Sequence, residues 1–524
     1  MPDLSPPNAA RSLLTDAAQA FRETEILLAG ANGFLGKVIL GFLLDRYSDF
    51  RRLHILVRPK GNMSAEERFY REVLASPALA GVVDNLEPGF LDRKIRVIPG
   101  DLSETTCGLS LSAVEGLAGK VGLILNCAGL VEFFPPVDDS FKSNVDGVEN
   151  VVALAKRLKA KLLHVSTCYV CGEADGLIEE TTPIVGFYPR RKGVSDDTFD
   201  YREEIRYSRE RVAQIYRDAG DTQPRSKEVA QRLIELGRQR AEAWGWVNTY
   251  TYAKSIGEQI IADEKDLDYA IVRPAIVESA LHFPFPGWVE GGRTAAPLVL
   301  MAMGGLKHWT VRPDAPLEVV PVDLVASSIL AVSALLLEGR NQRVYQLGTA
   351  DVNPLHLEPL VQLLHVESKR QARRKRPQQL ALVSPGRVRI LSPERARVRR
   401  MRLQKRLERG RVVLTALKKV LETTGLPGRQ SVNSLSMLLR GLGLQAMFRE
   451  QTLELYQPFI LDNRYIFESQ NIRAAYRLLS ERDRELLPWT PELIDWERYW
   501  VHNQIRGVEK WVKPAALEDW AFKV

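Results

Sequence analysis

The chain has 524 residues, more than one ordinary hydrophobic core accommodates, so two or three domains are expected. Its 45% hydrophobic and 26% charged residues are those of a globular protein, and four cysteines exclude a disulfide framework, which fits a reducing cytoplasm. The net charge of +7 hides an asymmetry: residues 368–411 carry 17 Lys and Arg against Glu394 and Glu408, leaving the remainder net acidic.

Residues 1–24 form an extension with Pro and charges but no apolar core of a signal peptide. From there, apolar runs at 25–29, 53–57, 95–98, 122–126, 161–166 and 269–273 predict buried parallel strands. Helical spacing at 33–46, 64–76, 110–118 and 138–159 fills the gaps, so an α/β, doubly wound parallel Rossmann sheet is expected over 25–350. Residues 190–245 interrupt the rhythm as a helical insertion, with Val229, Leu233 and Leu236 at helix spacing. The stretch 324–337 is apolar but contains Ser327 and Ser328 and is shorter than the roughly 18 residues of a spanning helix. Beyond about 350 the patterns turn helical: a basic segment at 351–425, with a helix at 411–423, and a smaller, mainly helical C-terminal domain at 426–524.

The first strand runs into Gly30-Ala31-Asn32-Gly33-Phe34-Leu35-Gly36, one residue off the usual dinucleotide spacing but placed correctly between strand and helix. Such a turn brings backbone N–H groups and a helix N-terminus against a pyrophosphate. The second strand ends in Val57-Arg58-Pro59-Lys60, where an NAD site usually keeps a carboxylate for the ribose hydroxyl. Two cations and no acid favour NADP, with Arg58 and Lys60 on the 2′-phosphate. Asp101-Leu102 after the third strand and Asn126-Cys127-Ala128-Gly129 after the fourth sit where adenine and ribose pass, although each is also a plain turn.

Ser166-Thr167 ends the fifth strand at the ligand-binding edge of such a sheet. Further on, Tyr250-Thr251-Tyr252-Ala253-Lys254 places a phenol and an ammonium one helical turn apart. A phenol needs such a neighbour to exchange protons near neutral pH, and Tyr252 lacks that spacing. Cys168-x-x-Cys171 has no second pair or nearby His to complete a metal site, and no metal is expected.

These strings resemble the extended short-chain dehydrogenase/reductases, and among them the fatty acyl-CoA reductases. The finer likeness lies in Trp246 to Lys254, in Val272-Arg273-Pro274-Ala275-Ile276-Val277 with Pro284 to Gly291, in Val320-Pro321-Val322-Asp323, and in Asp462 to Phe467, Ile494-Asp495-Trp496 and Arg506-Gly507-Val508. The resemblance implies Thr167, Tyr250 and Lys254 as catalytic, the Thr being preferred to Ser166 by its place in Ser-Thr-x-Tyr. It implies Gly30, Asn32, Gly33, Phe34, Leu35, Gly36, Arg58, Lys60, Asp101, Leu102, Ala128, Gly129, Lys254, Pro274 and Ile276 around the cofactor. Asn144 matches a helix Asn of the superfamily, or simply packs a helix. The implied activity is NADPH-dependent reduction of long-chain acyl-CoA through the fatty aldehyde to the primary alcohol.

Two departures stand out: 83 residues separate Thr167 from Tyr250, and 368–411 has no firm counterpart. That basic stretch suits CoA phosphates, an anionic membrane surface or plain solvation, making the expected location cytoplasmic with possible peripheral membrane contact. It has no aromatic residue to stack bases, so nucleic acid is not expected. Rival readings are a carrier-protein thioester reductase, a reductase stopping at the aldehyde, a sugar-nucleotide epimerase and, resting on 368–411 alone, a non-enzymatic nucleic-acid- or membrane-binding protein on a Rossmann scaffold.

Overall fold

The computed structural model describes residues 14–181, 183–190, 198–220, 225–292, 294–375, 388–424 and 429–512. Packing divides them into two units. One comprises the chain up to Thr294 with Glu318–Pro354 and Tyr465–Val512; the other comprises Ala295–Leu317 with Leu355–Arg464.

The first unit is built on seven parallel strands: β1 Glu25–Ala29, β2 Arg52–Val57, β3 Ile95–Pro99, β4 Val121–Asn126, β5 Lys161–Val165, β6 Tyr269–Pro274 and β7 Val344–Leu347. Their order across the sheet is β7-β6-β5-β4-β1-β2-β3. The chain runs outward from β1 in both directions, so the β1/β4 junction is the switch point where the strand ends splay apart. All residues of β1, β6 and β7 are buried, as expected of strands covered on both faces. Six predicted strands are present; β7 and a short strand Asp175–Ile178 carried no signal that separated them from loops.

The helices that matter to the site are α1 Phe34–Arg46, α2 Gly147–Leu158, α3 Tyr201–Asp218, α4 Lys227–Trp244, α5 Thr249–Ala262 and α6 Val322–Leu337. The 324–337 run falls in α6, which is buried on every side until its last residue, so its apolar character belongs to a core helix. The 190–245 insertion contributes α3 and α4, and Val229, Leu233 and Leu236 are the buried stripe of α4. Buried Glu204 on α3 ties the two together, accepting from Arg240 Nε and Nη2 (2.8 and 2.6 Å) and from Trp244 Nε1 (3.2 Å).

Two other buried carboxylates in this unit, Glu318 and Glu180, satisfy backbone N–H groups. Glu318 accepts from Thr349, Ala350 and Phe467, and Glu180 from Gln346 and Asn471. Burial pushes both acids up to about 7 although those bonds oppose it. The C-terminal segment is thereby attached to the sheet through backbone hydrogen bonds with fixed register.

In the second unit, Ala296–Met303, Leu357–Lys375, Pro393–Thr424 and Arg429–Gln457 are helices. The helix predicted at 411–423 is the C-terminal part of a 32-residue helix that starts at Pro393. Arg400 near its start pairs with Glu454 (2.7 Å) near the end of the next helix, so the two run antiparallel. Part of the basic segment, 376–387, lies outside the described residues.

Candidate active site

The glycine turn is shaped by contacts that no side chain tolerates. Gly30 has φ +94°, and a Cβ there would stand 2.6 Å from the Ala128 nitrogen and 2.9 Å from Cys127 Sγ. A Cβ on Gly36 would meet the Gly30 carbonyl oxygen at 2.1 Å. These two glycines let α1 start directly against the β1 and β4 ends. Gly33 is the residue before α1 and offers no side-chain cap, so the first N–H groups of the helix, at Phe34 and Leu35, keep their donors for a ligand. The cradle fits a pyrophosphate on those grounds.

Beside it, Arg58 and Lys60 are exposed. Arg58 Nη1 lies 3.5 Å from Asp101 Oδ2. Asp101 is held below the usual carboxylate range: burial acts to raise it, but the Ser103 N–H and hydroxyl (3.0 and 2.8 Å) and Arg58 outweigh burial. Sequence reasoning passed over Arg68, whose guanidinium donates to the Arg58 carbonyl (2.8 Å) and to Glu72 (2.7 Å), the carboxylate also reached by Asn32 (3.5 Å). A charged residue on a short helix gives no hint of that placement. The Leu102 carbonyl accepts from Asn150 (2.8 Å), fixing the turn after β3.

At the carboxyl edge, Thr167 and Tyr250 meet. Asn248 caps α5 by accepting from the Thr251 N–H (2.8 Å), which fixes where the helix begins and so where Tyr250 points. The Thr167 hydroxyl neighbours the Tyr250 phenol and acts to lower it, and Thr167 Oγ1 donates to the Pro274 carbonyl (3.4 Å). The neighbouring Ser166 hydroxyl is buried with no partner. Tyr252 faces elsewhere: its ring packs on Phe141 and Trp246, and its hydroxyl donates to Glu204 (2.6 Å).

Lys254, only 4% exposed, donates to the Val165 carbonyl (2.7 Å) and lies 3.1 Å from His164 Nε2. Burial pulls its ammonium down to about 8, against the opposing charge of Glu258 and the influence of Cys127. Burial likewise raises the Tyr250 phenol, which Thr167 offsets only in part. Burial of both groups works against the lowering of the phenol expected from Lys254, whose Nζ is engaged by the Val165 carbonyl of β5. Asn144 braces the adjoining loop, accepting from the Leu130 N–H (3.2 Å) and donating to the Leu130 carbonyl (3.0 Å), next to exposed Gly129.

The loop after β6 is held from several sides. The Ile276 N–H donates to the Glu318 carbonyl (3.0 Å), and Asp323 accepts from Leu281, His282 and Phe283. Asn503 donates to the Ala280 and Leu281 carbonyls. Lys37 on α1, almost fully buried, pairs with Glu290 at 2.6 Å. The loop thus spans from the glycine turn to the proton-bearing edge on fixed anchors. Among the described residues no cluster of His, Cys, Asp and Glu has a metal-binding arrangement.

A family profile described as "Male sterility protein", an NAD-binding domain, matches residues 28–329. Probable fatty acyl-CoA reductase 5 of Arabidopsis thaliana is 31% identical over 350 residues, covering 65% of this chain and 69% of that protein. Probable fatty acyl-CoA reductase 4 of the same plant is 28% identical over 514 residues, covering 95% and 99%. The alcohol-forming fatty acyl-CoA reductase of Simmondsia chinensis is 29% identical over 354 residues, covering 65% and 69%.

The geometry separates the two phenols by experiment. Tyr252→Phe removes a buried hydroxyl from between Glu204 and Ser208 and is expected to cost about 1–3 kcal/mol of stability with little loss of turnover. Thermal unfolding and kcat measured on one preparation check this; an inactive variant of unchanged Tm places the chemistry at Tyr252.

Proposed function

Because this chain belongs to the fatty acyl-CoA reductases, nicotinamide-dependent oxidoreductases, we propose that it reduces long-chain acyl-CoA to the primary alcohol with NADPH. The observation that carries the reading is that Tyr250 and Thr167 come together at the carboxyl edge, on the same edge as the Gly30 cradle. Gly30, Asn32, Gly33, Phe34, Leu35 and Gly36 hold the pyrophosphate, Asp101, Leu102, Ala128 and Gly129 flank the adenosine side, and Lys254, Pro274 and Ile276 lie on the nicotinamide side. When bound, the nicotinamide supplies the hydride for both reductions.

Thr167 holds the substrate oxygen by hydrogen bond, and Tyr250 delivers the proton that oxygen requires as negative charge builds on it. Collapse of the tetrahedral thioester adduct expels the CoA thiol and leaves the aldehyde. Thr167 and Tyr250 then serve the aldehyde oxygen in the same way, which yields the alcohol. Tyr250→Phe is expected to lower turnover roughly 10²–10⁴-fold while NADPH still binds. Palmitoyl-CoA with NADPH and mass spectrometry of the products reads this directly. Hexadecanol is expected, hexadecanal alone limits the enzyme to the first step, and an active Tyr250→Phe refutes the assignment.

The preference for NADPH rests on exposed Arg58 and Lys60, with Arg68 behind them. A charge-assisted phosphate contact contributes about 1.5–3 kcal/mol. Arg58→Ala should therefore raise the KM for NADPH more than tenfold and leave NADH use nearly unchanged; equal use of both cofactors by the wild type contradicts the preference.

We further infer cytoplasmic location with peripheral attachment to anionic membrane through the helix pair Pro393–Thr424 and Arg429–Gln457. Val412, Val413, Met437 and Leu438 on these helices are each more than half exposed, and Val412 and Val413 directly follow the arginine-rich turns 395–411. No helix among the described residues is long and apolar enough to span a bilayer. Apolar residues beside a basic stretch suit an interfacial position, with about 1 kcal/mol of attraction per basic residue near the surface. Replacing Arg397, Arg399, Arg402 and Arg406 by Glu should abolish sedimentation with phosphatidylserine vesicles and spare turnover of a short acyl-CoA. Binding unaffected by those changes and by high salt defeats the electrostatic account.

A further inference from the structure

A chain of buried hydrogen bonds leads from the β4 end to Lys254, and its direction is fixed at one end. The Ala128 N–H donates to Asn126 Oδ1 (3.2 Å). A backbone amide only donates, so the atom it meets is the side-chain oxygen and the Asn126 nitrogen must face the other way. That nitrogen, also only a donor, lies 3.2 Å from His164 Nδ1. His164 Nδ1 is therefore the acceptor. The imidazole is neutral, since burial first and Lys254 second hold it well below its ordinary value. A neutral ring carries one proton, which the argument leaves on Nε2. Nε2 stands 3.1 Å from Lys254 Nζ.

An Nε2–H aimed at an ammonium sets hydrogen against hydrogen, whereas an amine offers a lone pair to it. Lys254 keeps its own donor bond to the Val165 carbonyl in either form. We propose that His164 is a positioning residue which, oriented by Asn126, presents Nε2–H to Lys254 and stabilises the neutral amine, so that this lysine releases a proton readily during turnover. The consequence for turnover rests on the reading of Lys254 as part of the proton-transfer site.

The other titratable groups around Lys254 do not oppose this arrangement. Glu258, one turn further along α5, is engaged by Arg273 of β6 at 2.9 Å. The Cys127 thiol at the end of β4 is pushed up to about 12 by burial and stays neutral. Tyr250, one turn earlier, is raised by burial and stays a neutral phenol. Imidazole, thiol and phenol are all uncharged, and the nearest carboxylate is spoken for.

The lysine's ordinary value of 10.5 falls to about 8, so any step that needs its ammonium weakens as pH rises through about 8. In Asn126→Asp both side-chain oxygens accept. One keeps the Ala128 N–H, and the other draws the ring proton to Nδ1, leaving Nε2 to accept from an ammonium. The experiment measures kcat/KM for palmitoyl-CoA against pH in wild type and Asn126→Asp, with two-bond ¹H–¹⁵N spectra of histidine-labelled full-length protein. The expected result is an Nε2–H tautomer at His164 in wild type, Nδ1–H in the variant, and a falling limb moved at least half a pH unit upward in the variant. NADPH binding followed by fluorescence confirms that the variant is folded. An Nδ1–H ring in wild type overturns the proposal, as does an unmoved limb in a variant whose tautomer has switched. A Lys254→Ala enzyme that stays active with the wild-type limb overturns the lysine's role in turnover, while the ring tautomer still reports the His164 orientation independently.

Discussion

Everything in the candidate site depends on how closely two backbones approach at the β1/β4 junction. Gly30 lies so near the Ala128 nitrogen that even a methyl group is excluded, and Gly36 lets α1 rest on the Gly30 carbonyl. This contact sets the direction of α1 and the depth of the cradle at Gly33. It also fixes the path of Asn126 to Gly129, and from there the Asn126–His164–Lys254 line on the neighbouring strand. A steric condition at one turn therefore reaches the proton-bearing edge two strands away. The intervening links are hydrogen bonds of 3.1–3.2 Å between strand ends, which tie the groups to one another.

A second constraint is the use of buried acids as acceptors for backbone donors. Asp323 gathers three consecutive N–H groups from the loop after β6, and Glu318 gathers three from segments far apart in sequence. A carboxylate here does what a cap does at a helix end, and its removal strands several donors at once. Asn503 and Gln504 from the C-terminal segment reach the same loop through carbonyls and the Ser279 N–H. Gly507, within the C-terminal string Arg506-Gly507-Val508 that marks the family likeness, packs directly against the Gly287 carbonyl of the same loop.

These two constraints explain what the sequence discloses and what it conceals. Buried parallel strands read as apolar runs, so six of the seven sheet strands are visible, and glycine spacing exposes the cradle because only glycine fits there. The Tyr250–Lys254 interval is visible because helix geometry is periodic. Asp323 and Glu318 are not visible as acceptors, since a lone acid in an apolar stretch looks the same whether it meets a cation, a metal or a row of amides. His164 is hidden for a similar reason: one polar residue inside a strand gives no sign of which ring nitrogen is bonded to what. The helix from Pro393 escapes sequence reading along most of its length because arginines on every face blur its period, leaving only 411–423 recognisable.

The charge state of Lys254 follows from competition between burial and hydrogen bonding, and magnitudes decide it. Lowering from 10.5 to about 8 corresponds to about 3 kcal/mol against the ammonium. That is a net balance, in which burial outweighs the attraction of Glu258. Burial also raises the Tyr250 phenol, so phenolate and ammonium are each costly alone in the same pocket. Two opposite charges forming together there attract each other far more than they would in water. Proton release from Tyr250 is therefore favoured by the protonated lysine, and the loss of that lysine's proton afterwards is favoured by His164. The site gains its sensitivity to proton position from low polarity, and the same low polarity requires that each donor and acceptor be placed with its direction already fixed.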